Sequence, residues 1–250
     1  MPRFDTLTLI LTFALAAGCC GPATLAPVPS AEDRASAAGW GSGNWLNQHE
    51  QICRIGRDGN SEAPDLVFLG DSITQSWGGP GRAVYQAAPD VWERYYGGRR
   101  AANFGISGDR TQHLLWRLQH GALDGLHPRA IVILIGTNNV GTDAPAEIAR
   151  GIRRVAAEAR RRAPGAQILV LGVLPRGLTL DDPARVTVLA INAVLGKEAF
   201  DLDPHFTHPE GGLRAELYAG DGLHLSPAGY AAWAAAIEPW IAKTLGDAQR

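Results

Sequence analysis

Residues 130–136, AIVILIG, decide the fold. Six consecutive apolar side chains, three of them isoleucine, alternate between the two sides of an extended chain, so both sides must be covered. A strand buried on both faces belongs inside a parallel sheet packed between helices. Similar runs lie on either side of it. DLVFLG (65–70) follows Pro64, and AANFGI (101–106), QILVLGVL (167–174) and the weaker FDLD (200–203) add three more. Helical patterns separate them. Ile148, Ile152, Val155 and Ala159 form one stripe over 144–162, ended by Pro164-Gly165. Val188, Ile191 and Leu195 form another over 185–199. Ser226 and Pro227 open a last helix that runs to about Leu245. The expectation is an α/β fold: a central five-stranded parallel sheet with helices on both faces and right-handed crossovers.

The composition sets limits. The chain has 250 residues, 46% hydrophobic and 19% charged, with net charge −2. That suits one globular domain with its own core. Acidic and basic residues are interspersed, so no basic field invites nucleic acid. Arg160-Arg161-Arg162 reads as the last turn of a helix, where cations complement the dipole.

The first residues differ from the rest. The apolar run Leu7–Ala17 is too short to span a bilayer and reads as a secretory signal. Its ending AAGC (16–19) resembles a bacterial lipoprotein signal, in which Cys19 would be lipidated and become the mature N-terminus. Ala16 stands where Leu is usual, and an ordinary cleaved signal is the other reading. GPATLAPVPSA (21–31) is Pro- and Ala-rich without periodicity. The expected organisation is therefore a signal over 1–19, a flexible tether over 20–39 and one domain over 40–250. The protein would be exported to the bacterial cell envelope, lipid-anchored in the periplasm or outer membrane, and would touch membrane only through that anchor. Of three cysteines, Cys53 alone lies in the body, so no internal disulfide framework forms there and no pair has zinc spacing.

Four short stretches follow expected strands or precede the last helix: GDSIT (70–74), GISGD (105–109), GTNN (136–139) and DGLH (221–224). In an open parallel sheet, ligands bind beyond the carboxyl ends of the strands, so all four converge on one edge. Their residue types suit acyl transfer. Ser72 offers a nucleophile. Asp221 and His224, three apart, let the carboxylate reach Nδ1 and leave Nε2 for a hydroxyl. The Gly108 backbone N–H, the Asn138 amide and the Ser72 backbone N–H are candidate donors to an oxyanion. The G-x-S-x-G elbow is absent, which excludes the α/β-hydrolase arrangement. Asp71 and Asn139 read as structural neighbours. His113, His120 and His127 read as surface or packing residues, and HFTH (205–208) lacks a completing ligand cluster for a metal. Trp116 reads as core, and Trp77 lies close enough to Ser72 in sequence to line the site or to pack.

In order and over most of the domain, these four blocks resemble those of the SGNH (GDSL-type) hydrolases. The body from about 65 to 243 is similar to the catalytic subunits of platelet-activating factor acetylhydrolase Ib and their bacterial relatives. NFGISGDRTQHLLWRLQHGALDG (103–125), VILIGTNN (132–139) and ILVLGVLPRG (168–177) carry that likeness. The resemblance implies a flavodoxin-like three-layer α/β/α sandwich. It implies Ser72 as nucleophile, Asp221 and His224 as acid and base, and Ser72, Gly108 and Asn138 as the oxyanion hole. It implies an acyl pocket closed by Thr137 and Leu223 around a short acyl group, with Ile73 where Leu is more usual. It implies no cofactor and no metal. The expected activity is removal of short acyl groups, acetyl foremost, from a small ester or an acetylated glycan. Transfer of acetyl to an envelope glycan by the same serine is the alternative. The resembled subunits dimerise, so a homodimer is among the assemblies the resemblance allows. Arg176, shared with those subunits, has no role that the sequence explains.

Overall fold

A computed structural model describes residues 22–31, 44–57, 63–79, 85–177 and 179–246. Its sheet has four strands: β1 (Leu66–Gly70), β2 (Ala101–Gly105), β3 (Ala130–Leu134) and β4 (Gln167–Val170). All pair in parallel, in the order β2-β1-β3-β4. In chain order the helices are α1 (Trp45–Arg57), α2 (Ser72–Gln75), α3 (Pro89–Tyr96), α4 (Thr111–Gln119), α5 (Pro145–Arg162), α6 (Pro183–Leu195), α7 (Asp203–Phe206) and α8 (Pro227–Leu245). This is the expected three-layer sandwich with flavodoxin-like strand order.

Strand alternation divides the core in two. Val67, Leu69, Phe104, Ile131 and Ile133 face one layer, packed with α1, α4, α5 and α6. Leu66, Phe68, Val132, Leu134 and Leu169 face the other, packed with α3 and α8. There Trp77 is fully buried among Phe68, Trp92, Tyr96, Tyr230 and Trp233, so it packs rather than lines a site.

The expected fifth strand is reduced to a single rung. Phe200 N donates to Val170 O (2.8 Å), and Phe200 O accepts from Gly172 N (2.9 Å). The Asp201 carboxylate then accepts from Asp203 N (2.9 Å), and Pro204 lies in the first turn of α7. An Asp-stabilised turn followed by Pro takes the backbone out of the sheet after one residue.

Part of the stretch expected as a tether, residues 22–31, is among the described residues. Over 22–31 the chain lies on the domain. A 3₁₀ turn, Ala23–Leu25, packs on α4 and α5 with Thr24 buried. Thr111 Oγ1 donates to Thr24 O (3.3 Å), and Val28 N donates to Gln112 O (3.4 Å). The stretch expected as an export signal, Cys19 within it, lies outside the described residues, as does Trp40.

Register aligns the strand ends. Gly70 pairs with Gly105 on one side and with Leu134 on the other, so β1, β2 and β3 end in line. Just beyond them lies a fully buried ion pair between Arg117 and Asp109. Arg117 Nε donates to Asp109 Oδ2 (2.8 Å), Nη1 to Phe104 O (2.8 Å) and Nη2 to Gly70 O (3.2 Å). Trp45 Nε1 donates to Asp109 Oδ1 (2.6 Å). Removing one member of such a pair strands the other charge in the interior. Arg117→Ala should therefore lose about 3–5 kcal/mol of stability, read from urea unfolding; a loss within the range of an ordinary surface substitution would contradict this role.

Candidate active site

Ser72 is the first residue of α2, and Asp71 caps that helix by accepting from Ile73 N (3.0 Å). The cap turns the chain sharply out of β1 and leaves the Ser72 hydroxyl at the sheet edge. Gly105 makes room for the turn. A Cβ there would overlap Gln75 N and come 2.8 Å from Asp71 O, so only glycine lets α2 lie directly on β2.

The loop before α8 brings His224 to Ser72. It is closed by a bridge between Tyr218 and Leu225 and by Ala219 N donating to His224 O (2.7 Å). Asp221 Oδ1 accepts from the Leu223 and His224 backbone N–H groups (3.0 and 2.9 Å). Its Oδ2 lies 2.6 Å from His224 Nδ1. That carboxylate selects the tautomer with hydrogen on Nδ1, leaving Nε2 to accept from the Ser72 hydroxyl at 2.9 Å. Partial burial pushes Asp221 up. Hydrogen bonds from the His224 ring and from the two backbone N–H groups outweigh it and hold the carboxyl below its ordinary value.

Gly108 has φ +81°, a left-handed turn that side chains rarely adopt. The loop around it is held by Ser107 N donating to Gln75 Oε1 (3.2 Å) and Asp109 N to Ile106 O (3.2 Å). The backbone N–H groups of Ser72 and Gly108 have no hydrogen-bond partner among the described residues. Asn138 Nδ2 donates to Asp109 O (2.9 Å), which uses one amide hydrogen and leaves the other. Asn139 beside it is buried and structural: its side chain accepts from Thr111 N (3.0 Å) and donates to Gln112 Oε1 (3.1 Å) and Asp143 Oδ2 (3.0 Å).

The three residues expected around the acyl group differ in exposure. Ile73 and Thr137 are buried, and Leu223 is half-buried against the α8-side core. Sequence reasoning passed over the groups that hold the site in place. Arg117 carried no local signal, because a single Arg in a helix is ordinarily a surface residue. Tyr230 OH donates to Ile73 O (2.7 Å) from α8, a contact that no pattern announces. Arg176 Nη1 donates to the Thr137 carbonyl and hydroxyl (both 3.1 Å). His113 accepts from Arg110 N (3.2 Å) and is kept neutral, its pKa lowered to about 4 chiefly by burial. Among the described residues no group of three His, Cys, Asp or Glu side chains is gathered as a metal ion would need.

Burial also pushes the Asp71 carboxyl up to about 7, with the Ile73 N–H opposing, Asp109 adding and Arg176 opposing. A carboxyl raised in the fold contributes stability that is complete below its unfolded pKa and is lost as pH rises through about 7. Asp71→Asn keeps the acceptor for Ile73 N and removes the charge. The melting temperature of this variant, relative to wild type, should therefore rise from about pH 5 to about pH 8. A difference that stays flat across that range would show that Asp71 titrates as an ordinary carboxyl.

Comparison with known proteins matches this architecture. The model of the GDSL-like lipase/acylhydrolase family matches residues 68–232. The alpha1 subunit of platelet-activating factor acetylhydrolase IB from Bos taurus is 34% identical over 217 residues, covering 84% of this chain and 87% of that protein. Two solved structures share the fold. A GDSL-like lipase from Bacteroides thetaiotaomicron superposes with TM-score 0.57 at 21% identity, covering 79% of this chain and 100% of the other. An acetylxylan esterase from Geobacillus stearothermophilus does so with TM-score 0.55 at 21% identity, covering 71% and 94%. The four sequence blocks thus sit at one sheet edge in a chain that belongs to the GDSL-like lipase/acylhydrolase family and is a carboxylic ester hydrolase.

Proposed function

We propose that the enzyme removes short acyl groups, acetyl foremost, from ester substrates through Ser72, His224 and Asp221. The observation that carries this reading is the continuous chain Ser72 Oγ–His224 Nε2–Asp221, closed at 2.9 and 2.6 Å between residues 152 positions apart. His224 Nε2 takes the Ser72 proton as Oγ attacks the ester carbonyl. Asp221 holds the ring in place and stabilises the imidazolium. The N–H groups of Ser72 and Gly108, unpartnered among the described residues, with the second hydrogen of the Asn138 amide, receive the oxyanion. His224 then gives its proton to the leaving alkoxide. Water, deprotonated by His224, releases the acyl group and restores Ser72.

Acetyl is preferred on the strength of Ile73 and Thr137. The resemblance places both, with Leu223, around the acyl group; Ile73 and Thr137 are buried and Leu223 is half-buried. The natural substrate class we propose is an acetylated glycan or other ester of the cell envelope, reached by export on residues 1–19. The shared fold of the acetylxylan esterase is compatible with such a substrate.

Hydrolysis of p-nitrophenyl acetate, butanoate and octanoate tests this reading. Acetate should be turned over fastest. Ser72→Ala and His224→Ala should each lower kcat by about 10⁴–10⁶, and Asn138→Ala by about 10²–10³. Faster turnover of octanoate would end the acetyl assignment, and a loss under about tenfold in Asn138→Ala would end the oxyanion role of that amide.

A further inference from the structure

We propose that Arg176 is a positioning residue for acyl transfer: it locks the Thr137–Asn139 turn so that the Asn138 amide stands ready for the oxyanion. The inference rests on the Ser72–His224–Asp221 mechanism and concerns a residue that mechanism leaves idle. Arg176 lies six residues past the end of β4, in the segment that crosses the site edge. Its Nη1 donates to both Thr137 O and Thr137 Oγ1, each at 3.1 Å. Thr137 opens the 3₁₀ turn that carries Asn138, and it is buried. The turn is short: Asn139 N donates to Gly136 O (3.1 Å) and Val140 N to Thr137 O (3.2 Å), its far end is tied through Asn139 to Thr111, Gln112 and Asp143, and its opening residue is held by Arg176. Gly136 enters it at φ +121°. Such a turn has little stiffness of its own.

Asn138 is thereby held from two sides. On one, its Nδ2 is fixed to Asp109 O (2.9 Å). On the other, the backbone that carries it is pinned by a charge-assisted pair of hydrogen bonds, stronger than neutral ones. The same segment also reaches the base. Pro175 O, one residue before Arg176, accepts from Tyr218 OH (2.8 Å). Tyr218 pairs with Leu225 across the loop that holds Asp221 and His224. Two consecutive residues, Pro175 and Arg176, therefore tie the oxyanion turn to the triad loop. Electrostatic preorganisation depends on such fixed spacing, because a donor that must be reoriented during the reaction loses most of its value.

A double-mutant cycle separates this role from a general structural one. Arg176→Ala should lower kcat for p-nitrophenyl acetate by about 10–10²-fold, less than the loss of a donor itself, with KM nearly unchanged. Arg176→Lys, which can still reach the Thr137 oxygens, should recover most of that loss. In an Asn138→Ala background, Arg176→Ala should cost less than about threefold, because residues that act through one another do not add. The same loss in both backgrounds, or a loss under about threefold in the wild type, would overturn the assignment. A failure of the esterase reading itself would be visible separately, as no turnover and no Ser72-dependent reaction with a phosphonate ester. In that case amide exchange still decides: Arg176→Ala should speed exchange at Asn139 and Val140, and unchanged exchange there would overturn the anchor.

Discussion

The Arg117–Asp109 pair is the constraint on which the rest of the site depends. Both side chains are fully buried, so each charge has lost its hydration at a cost of several kcal/mol. That cost is offset only because the contacts are complete. The guanidinium serves Asp109, Phe104 O and Gly70 O, and Asp109 also takes the indole N–H of Trp45. Phe104 and Gly70 lie at the ends of β2 and β1, where the ladder runs out and carbonyls need other donors. An apolar pair of the same volume would deprive Phe104 O of its Arg117 donor and leave Gly70 O with Ile106 N alone. The ion pair therefore fixes how two strand ends, α4 and the loop bearing Gly108 meet. Asp109 extends the reach of this arrangement further, since its own carbonyl receives the Asn138 amide.

Three carboxylates lie close to this edge, and environment assigns them different work. Asp109 is neutralised by Arg117. Asp71 adjoins Ser72 in sequence, but its carboxyl is buried, caps α2 and has its charge disfavoured by burial. Asp221 is the most exposed of the three, and its hydrogen bonds favour the charged form. Only Asp221 touches the imidazole. Proximity in sequence to Ser72 would have favoured Asp71 as the orienting acid; burial and the direction of the pKa shift favour Asp221.

The sheet and the convergent blocks were legible because both rest on patterns that sequence records directly. Continuous apolar runs such as AIVILIG admit little but a strand covered on both faces, and strand ends in an open parallel sheet point to one edge. Asp71 and Asn139 were legible as structural residues for a related reason, since turn-forming residues act within a few positions. What the sequence hid acts across long separations. Arg117 reaches Gly70 47 positions away, and Arg176 reaches Thr137 39 positions away. Neither bond leaves a periodicity or a spacing. The fifth strand failed for a local reason instead: FDLD has the right apolar beginning, but Asp201 and Pro204 favour a turn over a second rung.

The N-terminal segment shows how composition can mislead about slack. Proline and alanine without periodicity describe a linker, yet PATLAPVPSA lies along α4 and α5 with a buried threonine and hydrogen bonds to Thr111 and Gln112. The residues it meets are not neutral ground. Thr111, which donates through Oγ1 to Thr24 O, gives its N–H to Asn139. Gln112, whose carbonyl takes Val28 N, also accepts from the Asn139 amide. The segment thus abuts the neighbours of the Thr137–Asn139 turn.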